Sequence, residues 1–110
     1  MTPKEVLIKA KALIADRRNW IQGMEARAAS GQPLPPEHPS ACRFCSIGAV
    51  ERVLAPLPAA EHYRVKEQTL NEIESHITTS AVIGKLWRFN DSHTHEGVMA
   101  LFDKAIKEAT

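Results

Sequence analysis

Four prolines at positions 33, 35, 36 and 39 sit between two stretches of helical patterning. A proline inside a helix removes a hydrogen bond and clashes with the preceding turn, so no helix can run through this segment. The chain must therefore fold as a helix, an irregular arm, and then further helices. Around the prolines, Met24 to Pro36 alternates weakly about Ser30-Gly31-Gln32-Pro33, a pattern that fits either a loop or a short hairpin.

The flanking stretches read as helices. Thr2-Pro3-Lys4-Glu5 has capping-box spacing with proline at the first helical position. Val6, Leu7, Ala10, Leu13 and Ile14 then recur at helical intervals, which predicts a first helix ending near Asp16–Asn19. Ser40 is the expected N-cap of a second helix reaching about Leu54. Its residues Ala41, Cys42, Phe44, Cys45, Ile47, Gly48, Ala49, Val50, Val53 and Leu54 are apolar or small nearly all round, which predicts burial at the centre of the core. Gly48 would let a neighbour approach that helix closely. A third helix is expected over roughly Ala59 to Ile77, and a shorter one from Ser80 through Trp87. Phe89 to Thr94 then reads as a polar connection, and about His95 to Ala109 as the last helix. The expected fold is mainly α: one domain over residues 1–110, with four to five helices and a proline-rich loop or short hairpin between the first two.

A chain of 110 residues can bury one core without metal or disulfide staples. A net charge of +1 offers no bulk attraction to nucleic acid or anionic lipid. Two cysteines are too few for a disulfide framework. The N-terminus reads as a helix start rather than a signal peptide, and no apolar run reaches membrane-spanning length. These features predict a soluble cytoplasmic protein with no membrane partner.

Three motifs carry what specificity the chain has. They are Trp20-x-x-Gly23 ahead of the proline-rich turn, Cys45-Ser46-Ile47-Gly48-Ala49, and Phe89-Asn90-Asp91 followed by Thr94-x-x-x-Val98. In that order they resemble a family of small uncharacterised bacterial and phage proteins, a domain of unknown function. Its members commonly show Trp-x-x-Gly, Cys-x-x-Gly-Ala, Trp-Asn-Asp and Arg-Thr before the last helix. The resemblance spans about residues 18 to 107. Here Phe89 stands where the family often has Trp, and His93 where it often has Arg. The resemblance implies a shared fold and no assigned activity.

Candidate sites follow from residue type and spacing. Cys42-x-x-Cys45 on a helix would put both sulfurs on one face, for zinc or for redox chemistry, with His38, His62, His76, His93 or His95 to complete a metal site, His38, His93 and His95 being the foremost candidates. The competing reading makes both cysteines small core residues. Asn90-Asp91-Ser92-His93-Thr94-His95 offers two histidines and a carboxylate for metal or proton transfer. It reads equally as a capped helix start, since Asn, Asp, Ser and Thr are the N-cap formers. Trp20, Gln22 and Gly23, with Gly48, Asn90, Asp91 and Thr94, are candidates for a pocket or for structural support. Trp87 and Phe89 read as core. Lys4, Lys11 and Arg18 line one side of the first helix, as a phosphate-tracking stripe or a solvated face. The leading functional expectation is a non-enzymatic binding or interaction module, with self-association as one form and the irregular arm as its contact. No cofactor is expected. The alternatives are a small metal-binding protein or enzyme built on Cys42 and Cys45, and a nucleic-acid-binding accessory protein.

Overall fold

The computed structural model describes residues 1–78 and 85–110. Helix α1 spans Pro3–Ile14 and opens with the expected capping box: Thr2 Oγ1 accepts the Glu5 N–H at 3.2 Å and Glu5 Oε1 accepts the Thr2 N–H at 3.3 Å. Buried Val6, Leu7, Ala10 and Ile14 form its inner stripe. A single 3-10 turn, Arg17–Asn19, follows instead of further α-helix, with Asp16 capping it through the Arg18 N–H at 2.9 Å.

The arm is a small sheet. Strands β1, Ala26–Arg27, and β2, Arg43–Phe44, pair antiparallel, with Ala26 opposite Phe44. Two further bridges widen it, Arg27 to Pro33 and Trp20 to Phe44. The tight turn is closed by Gly31 at φ 93°, a left-handed conformation that glycine adopts without strain. Both sequence expectations for this segment therefore hold in part: residues 26–34 make a hairpin-like turn, and 35–42 a loop. Nor does the arm reach outward. Arg52 donates to the Pro36 and His38 carbonyls at 2.9 and 2.7 Å, pinning the loop to the body.

Helix α2 covers Ser46–Leu54, starting six residues later than Ser40. Local capping preference favours a serine there, but pairing overrides it. The Cys42 N–H goes to Arg27 O at 3.0 Å and the Cys45 N–H to Glu25 O at 3.1 Å, so this segment is extended. Cys42 and Cys45 consequently do not share a helical face. Helix α3, Ala59–Glu74, stops short of Ile77, which is buried beyond its end. The expected helix from Ser80 falls largely on 79–84, outside the described residues. Leu86 and Trp87 instead begin α4, Leu86–Ser92, whose first N–H is accepted by Glu74 Oε2 at 2.8 Å. The Phe89–Ser92 stretch is thus helical rather than a connection. Helix α5, His95–Glu108, is capped by Thr94, whose hydroxyl accepts the Gly97 N–H at 3.1 Å.

Among the described residues five helices enclose one core, and the protein is mainly α. Helix α1 packs on α2, α3 and α5, sharing the centre with α2. Phe102, Leu101 and Val98 of α5 meet Val50 and Leu54 of α2 and Val65 and Ile73 of α3 in that core. No helix among the described residues is long and apolar enough to cross a membrane.

Candidate functional site

The three sequence motifs meet around one buried amide. Asn90 is fully buried on α4, and its Oδ1 accepts three hydrogen bonds: from the Trp20 indole N–H at 2.7 Å, the Ser46 N–H at 3.0 Å and the Ser46 hydroxyl at 2.7 Å. Two of those partners can only donate, so the atom facing them must be the oxygen. The Asn90 amide nitrogen donates to Ile21 O at 3.0 Å. This one side chain ties the segment after α1, the first N–H of α2 and helix α4 together. Buried polar groups are costly unless paired, and here each is paired.

Neighbouring residues extend the junction. The Gln22 amide donates to the Asn90 and His93 carbonyls at 2.9 and 3.1 Å, and Asp91 Oδ1 accepts the Gly23 N–H at 3.0 Å. Gly23 has φ 86°, which lets the chain turn so that its N–H meets Asp91. Gly48 faces the Glu25 backbone; a Cβ there would overlap the Glu25 carbonyl oxygen. His95 is buried, hydrogen-bonded through Nε2 to Ile14 O at 2.7 Å and tilted against Trp20 with ring centroids 5.5 Å apart. It joins the end of α1 to the start of α5.

The cysteine and histidine candidates are scattered. Cys45 is buried and serves as the N-cap of α2, its sulfur accepting the Gly48 N–H at 3.3 Å. Burial pushes its thiol up to about 11, with the Glu25 and Asp91 carboxylates adding to the rise against hydrogen bonds that lower it. It is a poor nucleophile near neutral pH. Cys42 is exposed. His38 accepts the Ser40 N–H on its Nδ1 at 3.0 Å. His93 stacks on Phe89 at 3.7 Å between centroids, with Nδ1 2.9 Å from Phe89 O. Among the described residues no group of three or more His, Cys, Asp or Glu side chains is gathered to hold a metal ion. Lys11 of α1 is paired with Asp103, and Arg18, beyond the helix in the 3-10 turn, with Asp16, which breaks up and partly neutralises the expected basic stripe.

Beside the junction lies an open groove of about 420 Å³. It is lined by Gly23, Met24 and Glu25 from the turn, Cys45 and Ile47 from the start of α2, Lys66 of α3, and Trp87 and Asp91 of α4. Trp87 does not belong to the core: it is 51% exposed. Met24, Glu25 and Lys66 escape sequence reasoning because no motif marks them, and Ile47, though inside Cys45–Ala49, reads there only as an apolar helix residue. Glu25 sits two residues after Gly23, the only sequence hint that the turn leads into a site. Lys66 Nζ lies 3.0 Å from Glu51 Oε1, close enough for charge pairing though not aligned as a hydrogen bond.

No curated protein and no solved structure matches the chain. The expected resemblance to a domain of unknown function holds at the level of the family, since the model of one such family matches residues 1–108: the chain belongs to DUF6197, a family of unknown function.

Proposed function

We propose that the protein is a non-enzymatic binding module and that the groove between Gly23–Glu25 and Trp87–Asp91 is its ligand site. The observation that carries this reading is a half-exposed Trp87 lining a concavity beside a fully satisfied buried network. Concave sites with an aromatic wall and a few polar groups are the usual form of small-ligand sites. Gln22, Ser46 and Asn90 are spent on the junction, and the one buried thiol is held neutral. That leaves recognition, rather than bond making, as the chemistry the groove supports.

The test uses the two indole N–H signals in a nitrogen-15 correlation spectrum while a library of small fragments is screened. Trp20 is bonded to Asn90 and Trp87 is half exposed, so the signals report different places. Hits that move Trp87 and the Gly23 and Met24 amides support the reading. Hits that cluster on another face overturn it. A second copy of the chain is the alternative occupant, favoured by the exposure of Trp87 and of Tyr63, which is 67% exposed. Concentration-dependent mass in sedimentation equilibrium, abolished by Trp87→Ala, would select it.

A further inference from the structure

We draw no further inference here: the strongest candidate, the surface patch on the small sheet where Arg27 of β1 lies opposite Arg43 of β2, is a pair of half-buried cations of which Arg27 is already bonded to Gly31 O at 2.9 Å, and nothing in the structure shows that the two guanidinium groups converge or what would cover them.

Discussion

Asn90 and Asp91 are adjacent on α4, and they face opposite fates. Asn90 is sealed in the junction with every polar atom engaged, while Asp91 is exposed at the groove with one oxygen tied to Gly23. The turn after Trp20 and the start of α2 border both regions. On one side the polar groups answer one another; on the other they are left facing a concavity. The difference teaches that dense hydrogen bonding here is scaffolding, and that recognition is to be sought among the groups the scaffold leaves free.

The largest break comes from Asn90→Ala. It strands the Trp20 indole N–H and the Ser46 N–H without their buried acceptor, and Ile21 O without its donor. Orphaned buried groups cost about 1–3 kcal/mol each, and water entering the vacated space recovers part of that. We expect a net loss of about 3 kcal/mol in urea unfolding, with the Trp20 indole signal moving to that of a solvated group. A loss below about 1 kcal/mol would show that the junction is not what holds these segments together.

Gly48→Ala should come next. Alanine favours a helix over glycine by about 1 kcal/mol, but its Cβ would overlap the Glu25 carbonyl oxygen, and backbone cannot yield as a side-chain tip can. The expected net loss is about 2 kcal/mol. Because Glu25 O also accepts the Cys45 N–H, the lining of the groove should shift with it. A stabilised variant would mean that β1 and α2 can separate freely.

Which of these features could be read from the chain depends on how local their causes are. The capping box at Thr2–Glu5, the cap at Thr94 and the inner stripes of α1 and α5 involve neighbours within one or two turns, and the residue pattern alone locates them. The Trp20–Asn90 bond joins residues 70 apart, and nothing in the spacing announces it. The motifs nonetheless named both partners, since their residue types were odd for their surroundings. Ser40 failed as a cap because long-range pairing of residues 42 and 45 with β1 and its flank outweighs a local preference. For Trp87 a helical stripe does not say which side the rest of the protein will cover.

A smaller effect tests Cys45, which lines the groove. The folded state holds the Cys45 thiol at about 11 against an ordinary value of 9.0. A group raised on folding contributes its full stability below the unfolded value and loses it as pH rises through the folded one. Stability should therefore fall from pH 9 towards 11, by about 1 kcal/mol midway through that window. Cys45→Ser keeps an oxygen to cap α2 and removes the titration, so the difference between the two proteins across this window isolates the thiol from other alkaline groups. Identical pH profiles would place Cys45 in contact with water and make it a reactive part of the groove.

The smallest expected effect is the sharpest. Trp87→Ala removes a large aromatic side chain, and in a core that deletion costs about 3–5 kcal/mol. Here the ring is 51% exposed and stands outside the core cluster, its main charged neighbour being its own Arg88. Its loss should change stability by less than about 0.5 kcal/mol, as for surface positions away from caps and buried networks. The two halves of the comparison then separate cleanly: Asn90→Ala lowers stability and leaves the groove's chemical groups in the chain, while Trp87→Ala leaves stability intact and removes the groove's aromatic ring. A loss of about 2 kcal/mol or more would instead make Trp87 part of the packing that holds α4 in place. The groove would then be a structural cleft rather than a binding site.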